Sequence, residues 1–226
     1  MDKLEECKIK NLYNLDETIA KELLEKFTYP WEVLPHIEEF IIETGKKLSK
    51  DEYKEIKENV WVHKTAKIFE TAYIDGPTII CENATIRQAA FIRGRAIVGK
   101  NAVVGNSTEL KNVILFNNVE VPHFNYIGDS ILGYKAHFGA GSITSNVKSD
   151  KKLVVIKNRI TNEQIETNIK KVGAMCGDNV EVGCNSVLNP GTIVGRNTNI
   201  YPLSSVRGVI KENSIYKSSD NIVDKI

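Results

Sequence analysis

A period of six residues runs through the middle of this chain without a break. Every sixth position carries an aliphatic side chain, namely Val62, Ile68, Ile74, Ile80, Ile86, Ile92, Val98, Val104 and Leu110. Four positions after each of the first eight stands alanine or threonine: Ala66, Ala72, Thr78, Ala84, Ala90, Ala96, Ala102 and Thr108. Residues six apart share no face of an α-helix. In a flat strand the residue two places after each aliphatic position would also be apolar, whereas here it is polar or glycine. The chain must therefore turn a corner in every hexad.

Short strands joined by regular corners form a β-solenoid, of which hexapeptide repeats are the sequence signature. We therefore predict an all-β solenoid whose coils stack at roughly 4.8 Å around an aliphatic interior. The register shifts by one residue to Leu115, Val121 and Ile127, and again to Leu132 and Phe138. The same period returns at Cys176, Val182, Leu188, Val194, Ile200 and Val206. Between these runs, residues 144–171 leave the pattern, and we predict that Leu153–Ile156 and Arg159–Ile165 pair as a protruding hairpin.

The two ends of the chain lack this period. Residues 1–57 predict helices: one after the capping pair Asn14 and Glu17, one that starts near Trp31 or Pro35 and ends at Gly45, and a short one at Ser49. Because the end of a solenoid exposes unpaired strand groups, we expect this segment to form a helical cap over the first coil. The predicted organisation is a cap at 1–57, a solenoid at 58–210 with a protruding loop at 144–171, and a polar tail at 211–226.

Composition limits the class of partner. The chain has 226 residues, 42% hydrophobic and 26% charged, with a net charge of +1, which is typical of a soluble globular protein. A near-neutral balance favours neither a nucleic-acid nor a membrane-surface partner. The charged start does not resemble a secretory signal, and no apolar run approaches a membrane span. Four scattered cysteines without a CxxC pair favour a reducing, cytoplasmic environment.

Three stretches after the uninterrupted repeats carry polar residues suited to chemistry. They are Glu109-Leu-Lys-Asn-Val, His123-Phe-Asn-Tyr-Ile-Gly-Asp129 and Gly139-Ala-Gly-Ser-Ile-Thr-Ser-Asn146. Together they resemble the acetyltransferase domain of the bifunctional glucosamine-1-phosphate acetyltransferases/N-acetylglucosamine-1-phosphate uridyltransferases, and still more their archaeal and stand-alone sugar-nucleotide pyrophosphorylase-like relatives. The resemblance covers about Val60 to Gly208. It implies a left-handed parallel β-helix, a homotrimer with sites between neighbouring prisms, and acetyl-CoA as the acyl donor.

The same resemblance implies roles for individual residues. It makes His123 the general base, and it assigns substrate binding to Arg93, Lys111, Tyr126, His137, Asn146 and Lys152, and coenzyme binding to Ala140, Cys184 and Pro202. His137 stands where the family commonly has an asparagine, and the 144–171 loop is longer than the bacterial one. No metal ligands are implied.

The residue types suit N-acetylation. An amino sugar's ammonium group must lose a proton before it attacks a thioester, and a neutral imidazole can accept that proton near pH 7. A sugar phosphate requires cations such as Arg93, Lys111 and Lys152. A backbone N–H near Ala140 could stabilise the oxyanion. We therefore expect an acetyl-CoA-dependent N-acetyltransferase acting on an amino-sugar phosphate, glucosamine-1-phosphate-like, or on a sugar nucleotide.

Other interpretations of the same residues stay open. A corner histidine beside Pro122 is also typical of a structural hydrogen bond, Arg93 and Lys111 of solvated corners, and Tyr126 of packing. The chain could be a non-catalytic sugar-nucleotide-binding scaffold. Its histidines His63, His123 and His137 could instead form a zinc site like that of the γ-class carbonic anhydrases, although their spacing differs. Residues 1–57 lack the glycine-rich start of a uridyltransferase, so any uridyl transfer would need a separate enzyme as partner.

Overall fold

The fold is a β-solenoid with a short helical segment before it, seen in a computed structural model that describes residues 4–225. The α-helices are α1 Ile9–Leu12, α2 Lys21–Leu24 and α3 Ile37–Gly45, with 3₁₀ turns at Glu5–Cys7, Leu15–Glu17 and Pro30–His36. The strands are β1 Tyr53–Lys57, β2 Val60–His63, β3 Lys67–Ile68, β4 Tyr73–Ile74, β5 Thr78–Ile80, β6 Thr85–Ile86, β7 Phe91–Ile92, β8 Ala96–Val98, β9 Val103–Asn106, β10 Glu109–Leu115, β11 Glu120–His123, β12 Tyr126–Leu132, β13 His137–Phe138, β14 Ile143–Thr144, β15 Val155–Lys157, β16 Gln164–Glu166, β17 Ala174–Cys176, β18 Glu181–Val182, β19 Val187–Leu188, β20 Thr192–Val194, β21 Asn199–Ile200, β22 Ser205–Val206, β23 Val209–Ile210, β24 Ser214–Ser218 and β25 Asn221–Asp224.

Parallel pairing between successive coils gives the prism three faces. The first face contains β2, β5, β8, the second halves of β10 and β12, β17, β20 and β23. The second face contains β3, β6, β9, β11, β13, β18, β21 and β24. The third face contains β4, β7, the first halves of β10 and β12, β14, β19 and β22. We call the edge between the second and third faces the 2–3 corner, and the edge between the third and first faces the 3–1 corner.

The register confirms the predicted period and both one-residue shifts. Val62 pairs with Ile80 and Ile80 with Val98, so three hexads close one coil. Val98 then pairs with Leu115 and Leu115 with Leu132, and each of these coils is one residue shorter. We call residues 144–171, which leave the prism, the excursion. Leu132, before the excursion, pairs with Cys176, after it, so the stack continues without a gap.

The aliphatic positions of the repeat form the interior. Ile86, Ile92, Val98, Val104 and Leu110 are fully buried. Burying a side chain of this kind stabilises the fold by about 1.5–3 kcal/mol. The inward row predicted from the sequence is therefore the core.

A second apolar row, which the hexad pattern did not predict, lies on the outside of the first face. Strand residues alternate between the two sides of a sheet, so the middle residue of each three-residue segment that pairs on this face points outward. In register these middle residues are Trp61, Ile79, Ile97, Ile114, Ile131, Met175 and Ile193, and all are buried. We call this row the outward stripe.

The N-terminal segment covers the outward stripe, which corrects its predicted position over the first coil. Helix α3 contacts β5, β8 and β10, and the turn at Pro30–His36 contacts β12. Further along, the Tyr13 and Phe116 rings lie 5.1 Å apart, and the Asp178 N–H donates to the Leu12 carbonyl. The segment thus runs along one side of the prism, because that side, and not only the end, is apolar.

Local structure in this segment differs from the sequence prediction in two places. Asn14 caps only the 3₁₀ turn Leu15–Glu17, and α2 is a single turn. The third predicted helix, at Ser49, is wrong: one turn closes when the Tyr53 N–H donates to the Ser49 carbonyl, and the chain then enters β1. Helix α3 ends at Gly45 as predicted, where a Cβ atom would lie 2.2 Å from the Trp61 ring.

Antiparallel strands cover the two ends of the solenoid. β1 pairs with β2 before the first coil, and β25 pairs with β24 after the last one. These strands satisfy backbone groups that an open end would expose. Residues 211–225, predicted as a polar tail, therefore contribute β24 and β25 to the last coil. No helix among residues 4–225 combines the length and the apolar character needed to cross a membrane.

The excursion contains the predicted hairpin. β15 and β16 pair antiparallel through Val155 with Glu166 and Lys157 with Gln164. At the base of the excursion, Val147 and Lys171 form an antiparallel bridge. The excursion leaves the prism at the 3–1 corner, after β14, and returns to it at β17.

Candidate functional site

Four of the residues predicted to act on substrate or coenzyme lie in one row on the 2–3 corner. The Gly141 N–H donates to the His123 carbonyl at 3.0 Å, the Asn185 N–H to the Ala140 carbonyl at 2.8 Å, and the Leu203 N–H to the Cys184 carbonyl at 2.9 Å. The Phe124 N–H donates in the same way to the Asn106 carbonyl, and Pro202 is the residue before Leu203. We call the stacked residues Asn106, His123, Ala140, Cys184 and Pro202 the corner row. The coil stacking thus brings the candidate base to the same edge as the candidate coenzyme contacts.

The side chain of His123 is exposed and held from one side. Its Nδ1 atom lies 3.1 Å from the Oδ1 atom of Asn106 on the preceding coil. Because an amide oxygen only accepts, the neutral imidazole carries its proton on Nδ1 in this contact. The Nε2 atom is then the acceptor, which is the form that a general base requires.

The backbone at His123 is fixed by Asn125, a residue that the sequence analysis missed. Asn125 is buried, and its Oδ1 atom accepts from the His123 N–H at 3.1 Å. Its Nδ2 atom donates to the carbonyls of Gly139 and Ser142 on the next coil, at 2.9 and 3.0 Å. One side chain therefore joins the corner of the candidate base to the Gly139-Ala-Gly141 segment. An asparagine two places after the histidine was the only signal in the sequence.

A second polar cluster lies at the 3–1 corner, across the third face from His123. The Asp129 carboxylate is buried and accepts from Lys111 Nζ at 3.1 Å, from Asn112 Nδ2 at 2.9 Å and from Asn146 Nδ2 at 2.5 Å. Asn146 Nδ2 also lies 3.2 Å from the Tyr126 hydroxyl. We call these five residues the Lys111 network. Lys111, predicted to bind phosphate, is here paired internally.

Three features shape the outer side of this network. Gly128 lacks the Cβ atom that would lie 2.5 Å from the Tyr126 hydroxyl, so the ring can fold back over it. Burial raises the pKa of Tyr126 above its ordinary value of 10.0, so the hydroxyl stays protonated and can donate to a ligand. Next to Tyr126, Arg93 Nη1 lies 2.7 Å from Glu109 Oε1, and the Arg93 side chain is 46% exposed.

The remaining predicted contacts lie apart from both groups. His137 is on the second face, with its Nδ1 atom 2.9 Å from Glu181 Oε2. Lys152 is exposed on the excursion. The structure thus divides the predicted site between the corner row, the Lys111 network with Arg93, and these two separate positions.

The three solenoid histidines considered as zinc ligands have different surroundings. His63 contacts Thr65, whereas His123 contacts Asn106 and His137 contacts Glu181. Within residues 4–225, no group of three or more His, Cys, Asp or Glu side chains is arranged to hold a metal ion.

Comparison with known proteins bears on this arrangement. Residues 74–174 match the family model described as the GMPPB C-terminal domain. The bifunctional protein GlmU of Methanococcus maripaludis strain C5 is 35% identical over 122 residues, which cover 54% of this chain and 29% of that protein. The predicted resemblance is confirmed. A bifunctional sugar-1-phosphate nucleotidylyltransferase/acetyltransferase of Sulfurisphaera tokodaii is 31% identical over 113 residues, covering 50% of this chain and 28% of that protein.

The chain spans under a third of the length of these curated relatives. Among solved structures, a hexapeptide transferase family protein from Anaplasma phagocytophilum aligns with a TM-score of 0.41 and 17% identity, over 74% of this chain and 80% of that chain.

Proposed function

We propose that this protein is an acetyl-CoA-dependent N-acetyltransferase whose acceptor is an amino-sugar phosphate, glucosamine-1-phosphate-like, or a sugar nucleotide. The observation that carries the proposal is His123, an exposed imidazole with an accepting Nε2 atom, on one row with Ala140, Cys184 and Pro202. The names of the relatives, GlmU and a nucleotidylyltransferase/acetyltransferase, support the same class of reaction.

In the proposed reaction His123 moves one proton. Nε2 takes the proton from the acceptor's amine as the amine nitrogen attacks the thioester carbonyl carbon. The carbon–sulfur bond then breaks, and the imidazolium returns its proton to the departing sulfur. The N–H groups of Gly139 and Gly141 donate to Val182 and His123. The Ala140 N–H is therefore our candidate for stabilising the oxyanion.

Substrate binding is proposed for residues around the third face. Arg93 and Lys152 have exposed cationic groups suited to phosphate. Tyr126 and Asn146 are proposed to contact the sugar, and Lys111 orders them through Asp129. His137, beside Glu181, is proposed to contact the acceptor from the second face.

The proposed assembly is a homotrimer. The corner row projects from a convex edge, so a second wall is needed to enclose a substrate. The third face presents Tyr73 and Phe91 outward, 55% and 41% exposed, which suits contact with a second copy. Light scattering should give three times the mass of the chain, and a monomer at micromolar concentration would contradict this arrangement.

The proposed setting is the cytoplasm, where acetyl-CoA and sugar phosphates are available. Any uridyl transfer is assigned to a separate uridyltransferase. Copurification of such an enzyme, checked by adding it to the acetylated product with UTP, would test that partnership.

Thiol release from acetyl-CoA tests the reaction. Purified protein is offered a panel of amino-sugar phosphates and amino-sugar nucleotides, and the acetylated product is identified by mass. We expect His123→Ala to lower kcat by about two to four orders of magnitude while KM for acetyl-CoA changes little. The matched control is His36→Ala, because His36 is exposed on the N-terminal segment. Binding without turnover across the panel would favour a scaffold, and zinc in the purified protein would favour the metal site.

A further inference from the structure

A cleft lies between the excursion and the 3–1 corner, on the coils that follow the Lys111 network. It has a volume of about 450 Å³. Lys148, Asp150, Lys157 and Arg159 line it from the excursion, and Asn189 and Arg207 line it from the prism. The excursion and the corner thus form two walls of one cleft that stays open to solvent.

The excursion is held against the prism by close packing. Val154 and Ile156 are fully buried, and a Cβ atom on Gly191 would lie 2.7 Å from Val154 Cγ1 and 3.1 Å from Ile156 Cδ1. A Cβ atom on Gly208 would lie 2.7 Å from the Lys157 carbonyl oxygen. Only glycine at these two positions allows the excursion to approach two successive coils of the 3–1 corner this closely, so the wall of the cleft is fixed in place.

A side-chain hydrogen bond fixes the turn between β15 and β16 in the excursion. Asn158 is buried, and its Nδ2 atom donates to Glu6 Oε1 at 2.6 Å. Asn158 Oδ1 accepts from the Ile160 and Thr161 N–H groups at 2.8 and 3.1 Å, which closes the turn after Lys157. The neighbouring cations, Lys157 and Arg159, are therefore attached to ordered backbone.

The residues that line the cleft carry four positive charges, on Lys148, Lys157, Arg159 and Arg207, and one negative charge, on Asp150, although the chain as a whole carries only +1. Lys148 pairs with Asp150 at 3.3 Å. Among the residues that the structure describes, Lys157, Arg159 and Arg207 form no ion pair within 4.0 Å. Three uncompensated cations facing one cleft repel one another unless an anion lies between them.

We propose that this cleft binds a diphosphate group, as found in a nucleoside diphosphate or in a coenzyme that carries one. Three separate cations on two walls suit several phosphate oxygens better than a single phosphate does. Ser145 and Ser149 line the same space and add hydroxyl donors. The proposal does not depend on the acetyltransfer reaction, because no residue of the corner row lines the cleft.

Calorimetry with inorganic pyrophosphate on the full chain tests this directly. We expect one pyrophosphate per chain, binding more tightly than orthophosphate and weakening with added salt. The double variant Lys157→Gln/Arg207→Gln should weaken pyrophosphate binding at least about tenfold. The control Lys54→Gln/Lys67→Gln removes the same charge from exposed positions outside the cleft and should change the Kd less than about twofold.

Two further titrations identify which ligand supplies the diphosphate. UDP and coenzyme A are titrated into wild type and into both double variants, and the ligand that loses affinity only in the cleft variant is the one that the cleft accepts. Absence of pyrophosphate binding, or an equal loss in the two double variants, overturns the proposal. Circular dichroism and thermal midpoints confirm that each variant is folded. Acetyltransferase activity is not used as a readout, so the two proposals fail separately.

Discussion

The ammonium group of Lys111 lies 3.1 Å from the Oδ2 atom of Asp129 on the following coil, and their side chains are only 13% and 5% exposed. This pairing changes what a lysine in the Glu109-Leu-Lys stretch is expected to do. A phosphate would have to compete with a buried carboxylate for Lys111, whereas Arg93 and Lys152 present exposed cations. We therefore propose that any role of Lys111 is indirect and is exerted through Asn146 and Tyr126.

Removing the charge of Asp129 should destabilise the protein. Asp129→Asn retains a residue suited to the backbone φ of 48° but leaves Lys111 without its counter-charge. We expect the free energy of unfolding in urea to fall by about 3 kcal/mol. Adding Lys111→Met should restore much of it, because no unpaired charge then remains.

Glu109→Gln is the control for the preceding prediction, because the Arg93–Glu109 pair is largely exposed. Its effect should stay below about 1 kcal/mol. A loss in Asp129→Asn no larger than in Glu109→Gln would show that the Lys111–Asp129 pair adds no stability.

The outward stripe predicts a second stability effect. Ile97→Ala removes buried contacts beneath α3 and should lower the free energy of unfolding by about 2–5 kcal/mol. Ile160→Ala makes the same chemical change at a position that is 76% exposed, so it should be nearly neutral. Urea unfolding of the two variants compares them. Equal midpoints would mean that the N-terminal segment does not cover this row.

The cysteines predict a labelling pattern. Cys184 is exposed, while Cys7, Cys81 and Cys176 are buried. Burial raises the pKa of Cys81 to about 11 and that of the other two still further, so these thiols react slowly. Ellman's reagent at pH 8 should modify one thiol per native chain in a fast phase, and Cys184→Ser should abolish that phase.

Acetyl-CoA should slow the modification of Cys184 if the corner row binds it as proposed. The rate of Cys184 modification by Ellman's reagent is measured in wild type with and without acetyl-CoA. In a separate reaction, glutathione replaces the protein and shows whether acetyl-CoA alters the reagent itself. An unchanged rate at saturating acetyl-CoA would remove Cys184 from the proposed coenzyme contacts while leaving His123 untested.

Asp178 predicts a pH dependence of stability. Burial raises its pKa above the ordinary value of 3.8, although the N–H groups of Asn14 and Tyr134 donate to it at 2.7 and 2.9 Å. Because the folded pKa exceeds the unfolded one, the folded state binds the proton more tightly. The contribution of Asp178 is therefore largest below about pH 4 and is lost as the pH rises through the folded pKa.

Asp178→Asn removes this titration. The stability of wild type relative to this variant should fall as the pH rises above about 4, measured by urea midpoints at several pH values. A difference that stays constant over that range would contradict the raised pKa.

The sequence predicted the interior well because inward positions recur every six residues whichever face they belong to. Ile86 and Leu110 could therefore be placed inside before the number of faces was known. The outward stripe recurs only once per coil, and the shifts before Ile114 and Ile131 interrupt even that period. Its detection requires each hexad to be assigned to a face.

The candidate site could be predicted only in part for a related reason. His123 and Ala140 were identified from motifs, but the contacts that orient them come from other coils. Asn106 and Asn125 act across coil boundaries, and the Lys111–Asp129 pair joins residues 18 apart. Such pairs depend on coil length, which the one-residue shifts change.

The path of the N-terminal segment also has a consequence for biosynthesis. Asn14 leaves the ribosome well before Asp178, yet its N–H donates to that side chain, which lies 164 residues later. At roughly 5–20 residues per second, about 8–33 s separate the synthesis of the two. During that interval the apolar side of the segment has no completed surface to cover. Slowing translation should therefore prolong the time during which a chaperone can bind the segment around Asn14.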